Sequence, residues 1–263
     1  MRGKLSIRFW IFGLCLCVAF SLSQAQESPG QSYLVIEFMV KPGKIADFET
    51  AWKERIEELK KQDYSLPIYV YSMEFPHYYA FYPVQLYSGL DDFFGAYVEI
   101  AQKIEMQILQ KIHERENASI DYYKMFLLRH REDLSLHPAN KKRDMEQSRF
   151  IHWGLCYLLP GKEKQFVQSF QTIKSMYERK DLQNVEYGWD MYQGDIGTEM
   201  PFYFFSETGE SKAHFWTQAE KRHDAVEGEI FGLFDGVLAA CREFVFKGGQ
   251  FRPDLSFFPD KQE

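Results

Sequence analysis

The sequence predicts an α+β protein built from two tandem β-α-β-β-α-β repeats whose antiparallel sheets pack together. Three observations predict it. An octapeptide, R-x-D-L-S-x-x-P, is written twice: REDLSLHP at Arg131–Pro138 and RPDLSFFP at Arg252–Pro259, 121 residues apart. A Pro-Gly-Lys turn follows a strand-like run in each half, at Pro42-Gly43-Lys44 and Pro160-Gly161-Lys162, 118 residues apart. The first strand of each half is apolar on both faces, so both faces need a cover. A near-constant spacing of this kind marks a duplication of units of ordinary domain size.

The chain starts with a segment that reads as a secretory signal peptide, residues 1–25. Arg2, Lys4 and Arg8 make a basic start, and Phe9 to Leu22 is a short apolar run. Ser23-Gln24-Ala25 then offers small residues for cleavage. The expectation is bacterial export to the periplasm or beyond, with no stable membrane span after cleavage. Without this segment the net charge of −7 becomes −10. Such an acidic surface is a poor partner for nucleic acid or anionic lipid. Cys15 and Cys17 leave with the signal, and Cys156 and Cys241 remain. An oxidising compartment can join them as a disulfide or leave two buried thiols.

The first half is expected over 31–138. Tyr33 to Val40 alternates as a strand, and the turn at Pro42 opens a helix. Ile45, Phe48, Trp52, Ile56 and Leu59 recur every three or four residues along it. Pro67–Phe75 and Tyr79–Tyr87 read as strands, rich in Tyr, Val and Phe. A long helix is expected from Leu90 to about Glu116, entered through Ser88, Asp91 and Asp92. Ile120–Leu128 is the fourth strand, and the octapeptide closes the unit. A polar linker, 139–148, carries Lys141-Lys142-Arg143. The second half, 149–259, repeats the order. A strand from Phe150 is followed by a helix to about Lys180. Strands near Asn184–Tyr192 and Pro201–Ser206 come next, then a helix from Ser211 to Cys241 and a strand at Arg242–Lys247.

The order β-α-β-β-α-β is the ferredoxin-like pattern, in which both helices cover one face of a four-stranded sheet. On the first strand Leu34, Ile36, Phe38 and Val40 form one face; Tyr33, Val35, Glu37 and Met39 form the other. On its counterpart His152, Gly154, Cys156 and Leu158 oppose Ile151, Trp153, Leu155 and Tyr157. Packing the two bare faces together covers both. The strand, then Val40-Lys41-Pro42-Gly43-Lys44, then Phe48 and Trp52 on the helix resemble the dimeric α+β barrel superfamily. That superfamily includes antibiotic-biosynthesis-monooxygenase-like and NIPSNAP-like domains. The resemblance spans the chain after the signal as two fused copies. It implies a ligand space between sheet and helices or between sheets. It does not choose among cofactor-free oxygenases, isomerases, haem enzymes and binding proteins.

The sequence has no nucleophile elbow, P-loop, zinc-protease helix or C-x-x-C after the signal. Glu37 interrupts an apolar strand on the inward face, where a carboxylate serves as acid or base, or pairs with a buried partner. Glu186 and Asp190 raise the same question beside Tyr187 and Trp189. His77 lies in a loop at a barrel end, His113 on a helix, and His214 and His223 nine residues apart. None of these shows metal-ligand spacing, so no metal is expected. A haem with one axial histidine leaves no spacing signature and stays open; no other cofactor is expected. Tyr69, Tyr71, Trp153, Tyr157, Tyr187 and Trp189 either line a pocket or fill the core. The expected ligand-binding set is Glu37, Tyr71, His77, Trp153, Tyr187 and Trp189.

The repeated octapeptide reads as a latch after each fourth strand. Asp133, Ser135, Asp254 and Ser256 suit local turn hydrogen bonds, with Arg131 and Arg252 as partners. Three functions follow from the residues. The first is an exported protein binding a small apolar or aromatic molecule. The second is a cofactor-independent monooxygenase or isomerase, and the third a structural scaffold. Edge strands would permit further association.

Overall fold

A computed structural model of the chain describes residues 30–85, 88–137, 149–179, 188–226 and 228–259. The signal segment 1–25, the linker 139–148, Pro138, Glu186 and Tyr187 lie outside the described residues. The described strands are β1 (Ser32–Val40), β2 (Tyr69–Met73), β3 (His77–Val84), β4 (Ile120–His130), β5 (Phe150–Leu158), β6 (Trp189–Gly194), β7 (Phe202–Gly209) and β8 (Cys241–Phe251). The helices are α1 (Ile45–Lys61), α2 (Ser88–Lys103), α3 (Met106–Ser119), α4 (Glu163–Arg179), α5 (Lys212–Ala225) and α6 (Glu229–Leu238). No helix among the described residues is long and apolar enough to cross a membrane.

All eight strands join one closed antiparallel barrel in the order β1-β3-β2-β8-β5-β7-β6-β4, with β4 returning to β1. Two short seams complete it. At one, Tyr71, Ser72 and Met73 pair with Phe251, Gln250 and Gly249. At the other, Leu128, Arg129 and His130 pair with Gly194, Gln193 and Tyr192. Closure removes the free edges through which the sheets were expected to associate further.

The two faces of each first strand serve different cores. Leu34 and Val40 pack outward under α1 with Phe48, Trp52 and Ile56. Val35 points into the barrel with Trp153, Leu155, Phe81 and Phe204. Cys156 and Leu158 pack outward under α4 with Phe166 and Phe170. Each fully buried large apolar side chain contributes roughly 1.5–3 kcal/mol, so a strand apolar on both faces is stable only between two such layers.

Both long helices expected from periodicity are broken in two. The second breaks where Gly228 takes φ +80°, a left-handed conformation that an α-helix does not continue through. In the first, Ile104 is buried and Glu105 is extended, so the chain steps sideways before α3.

The octapeptide takes the same local form twice. Arg131 grips Asp133 through Nε and Nη2 at 2.8 and 2.7 Å; Arg252 grips Asp254 at 2.9 and 2.8 Å. Ser135 and Ser256 each donate to the carbonyl of that arginine at 2.8 Å. Leu134 and Leu255 are fully buried. Each tail docks on the opposite half. Ser135 accepts the Met191 N–H and Leu136 bridges Trp189, while Ser256 accepts the Val70 N–H and Phe257 bridges Ile68.

Candidate functional site

Strand register places a histidine and a carboxylate together on the outer face of the second-half sheet. His152, third residue of β5, lies directly opposite Glu207 of β7. Its Nδ1 is 2.8 Å from Glu207 Oε2, and both side chains are buried. Arg222 of α5 approaches the other carboxylate oxygen at 3.8 Å. In the neutral tautomer that donates Nδ1–H to Glu207, Nε2 carries the ring's lone pair. Among the described residues Nε2 has no hydrogen-bond partner. The ring stacks on Phe246 at 4.7 Å and meets Phe215 and Trp216 at its other sides.

His152 and Glu207 border a cavity of about 340 Å³ between sheet and helices. Its apolar wall includes Phe170, Trp189 and Phe205 from below and Phe231 and Phe234 of α6 from above. Gly154 makes room for this wall, because a Cβ there would stand 2.2 Å from the Phe205 ring. The arrangement is a carboxylate-oriented imidazole beside an aromatic chamber. It suits proton removal from an apolar molecule.

The first half carries a cavity of about 360 Å³ in the corresponding place, with different chemistry. Leu34, third residue of β1, faces Tyr82 where His152 faces Glu207. Polar groups come instead from the helices. Arg55 forms a two-pronged, largely buried pair with Glu116. Arg55 also donates to Tyr97 Oη at 3.0 Å, and Tyr97 reaches His113 Nε2 at 3.1 Å. Burial, then the Arg55 charge, hold the His113 pKa below its usual value. A neutral His113 accepts the Tyr97 hydroxyl, so this histidine is already engaged.

Glu37 does lie inside the barrel, where it accepts from Tyr79 Oη at 3.0 Å and meets His77 Nδ1 at 3.0 Å. Burial and then Glu37 push the Tyr79 hydroxyl pKa far up, so Tyr79 remains a donor. Tyr79 touches Trp153, which touches Tyr71, at ring distances of 5.0 and 5.8 Å. Glu37, His77, Trp153 and Tyr71 are therefore one connected interior group. Trp189 is elsewhere: it faces the helices and donates Nε1–H to Leu134 O at 2.7 Å. Cys156 is a buried free thiol, its Sγ 3.9 Å from Gly154 O, and Cys241 is a half-buried free thiol. Burial pushes the Cys156 thiol up, and its hydrogen bond to Cys241 holds the latter lower.

Residue spacing did not single out His152 or Glu207, which are 55 positions apart. The available signal was a lone histidine on an otherwise apolar strand face. Haem does not suit this chamber. The one arginine or lysine of the described lining, Arg222, faces Glu207, and aromatic rings enclose His152. Among the described lining residues, two propionates would find no second arginine or lysine.

No family profile matches the sequence, and no curated protein matches it. Solved structures do. An anthrone oxidase-like protein shares 10% identity over 86% of this chain and 92% of its own, at a TM-score of 0.54. A candidate monooxygenase from Fusobacterium nucleatum subsp. nucleatum ATCC 25586 shares 9% over 85% and 93%, also at 0.54. A substituted chlorite dismutase from Candidatus Nitrospira defluvii shares 8% over 86% and 93%, at 0.50. At these identities the likeness is one of fold: the chain is an α+β protein with a dimeric α+β barrel architecture.

Proposed function

We propose that this chain is an exported enzyme of the cofactor-independent monooxygenase type, acting on an aromatic, enolisable molecule in the second-half cavity. One observation carries the reading: His152 is held by Glu207 through Nδ1 while Nε2 stays unengaged beside an aromatic chamber. In this reading His152 removes the acidic proton of the substrate. Glu207 stabilises the resulting imidazolium, and the carbanion reacts with dioxygen. The anthrone oxidase-like and monooxygenase neighbours support the reaction class. Residues 1–25 support export. The twin latches and mirrored seams support two fused copies of one ancestral unit.

Plain binding is the second reading. The first-half cavity favours it, since its His113 is already bonded to Tyr97.

Oxygen uptake with a panel of anthrones, quinols and enols tests the proposal. The expected result is turnover that falls about 10²–10⁴-fold in His152→Gln, the usual contribution of a general base. Native mass spectrometry should still show the aromatic ligand bound to that variant. Equal turnover in wild type and His152→Gln would sink the assignment. Loss in Glu37→Gln but not in His152→Gln would move the chemistry into the barrel.

A further inference from the structure

The barrel mouth at the β4–β6 seam gathers side chains that neither the latch nor the lateral cavity uses. His130 ends β4, His137 follows the first octapeptide's Leu136, and Asp190 lies on β6. One ligating atom from each falls within 4.8 Å of the others. His130 Nε2 is 3.2 Å, and His137 Nε2 3.6 Å, from the same Asp190 Oδ1. Glu132 Oε2 stands at the rim, 3.6 Å from His130 Nδ1 and 3.7 Å from His137 Nε2.

We propose that His130, His137 and Asp190 form a binding site for one divalent first-row transition-metal ion of the zinc class. Two imidazoles and a carboxylate are the donor set such ions prefer over magnesium or calcium. Bonds of about 2.0–2.1 Å in a tetrahedron set ligand atoms about 3.3 Å apart. The two distances to Asp190 fall on either side of that value, so small rotations of the imidazoles admit the ion. Ser135 Oγ also lies 3.2 Å from His130 Nε2. Its proton goes to Arg131 O and it accepts from Met191 N, so it does not compete as a donor to His130.

A second, independent observation comes from the opposite seam. The residues 121 positions after His130 and His137 are Phe251 and Phe258, and Tyr69 stands where Asp190 does. The matched bridges Leu136–Trp189 and Ile68–Phe257 fix that correspondence. There the three side chains simply pack as rings, Tyr69–Phe258 at 5.6 Å and Phe251–Phe258 at 6.4 Å. Barrel closure therefore needs only apolar contact at this place. The two histidines and the aspartate have another use. His130 and Asp190 also line a barrel-interior cavity of about 290 Å³ with Tyr33, Tyr71 and Tyr192. A small ligand in that cavity would reach the metal's remaining position.

The test uses untagged full-length protein freed of metal with a chelator. Zn(II) is titrated calorimetrically, and Co(II) by its visible absorption. The expected result is one equivalent bound with micromolar or tighter affinity, weakened at least tenfold in Asp190→Asn. His130→Phe and His137→Phe copy the opposite seam and should fold, as circular dichroism would report, without the cobalt bands. Absence of stoichiometric binding, or binding unchanged in Asp190→Asn and either phenylalanine variant, would overturn the site and leave an ion-pair cluster. Neither result bears on His152, which lies on the other face of the sheet.

Discussion

Gly154→Ala tests the packing of the second-half cavity most sharply. The added Cβ would stand 2.2 Å from Phe205 Cζ and 2.4 Å from Cε1, so the ring must retreat by more than 1 Å to reach ordinary contact at 3.4 Å. Phe205 is only 7% exposed and already touches Phe170 and Phe244. Relief is available mainly toward the cavity that it borders. Overpacking of this kind costs about 1–3 kcal/mol. With the closed barrel as one cooperative unit and a urea m-value of about 3 kcal/mol/M, the midpoint drops by roughly 0.3–1 M. Urea unfolding followed by tryptophan fluorescence reads the shift. Gly43→Ala is the control, because nothing lies within 4 Å of its Cβ. A retained aromatic ligand should also bind more weakly in Gly154→Ala. If the midpoint moves by less than about 0.1 M, against the ~0.3 M or more expected, and ligand retention is unchanged, Phe205 does not pack on Gly154 as described.

Two other outcomes follow from the ion pairs. Glu116→Gln leaves the largely buried Arg55 charge without its carboxylate, and should cost on the order of 3–5 kcal/mol in urea unfolding; a loss under about 1 kcal/mol would contradict the pairing. Arg252, then Lys53, hold Asp254 down at about 2 against an ordinary 3.8, so the stability this latch contributes is complete above about pH 4 and is lost as pH falls through 2. Asp254→Asn should therefore be less stable than wild type at pH 7, with the gap closing near pH 2; a gap that persists or widens toward acid would refute the assignment.

The fold was legible where the signal was local. Alternation on Tyr33–Val40 and Phe150–Leu158 showed two apolar faces, and those faces serve two cores. The 3.6-residue period marked α1 and α4 but ran through the breaks at Ile104-Glu105 and Gly228, because periodicity counts apolar residues and not backbone conformation. Glu37 was legible as an inward carboxylate. Its bonds to His77 and Tyr79 depended on pairing with β3, which no spacing reports. His152 was read as one member of an apolar face, since its partner Glu207 is brought opposite only by the β5–β7 register. His130 and His137, seven positions apart, acquire a shared carboxylate only when β4 meets β6.

The sequence by itself determined what neighbouring residues decide. That covers the strand and helix periods, the Pro-Gly turns, the twice-written octapeptide and its Arg–Asp–Ser chemistry within five positions. Such features depend on short-range sterics and hydrogen bonding. Only the tertiary structure decided that each octapeptide docks on the opposite half, that the barrel closes without edges, and which side chains distant in sequence meet. Those contacts are set by strand register and by burial of both sheet faces at once, a condition on the whole chain and not on any segment of it.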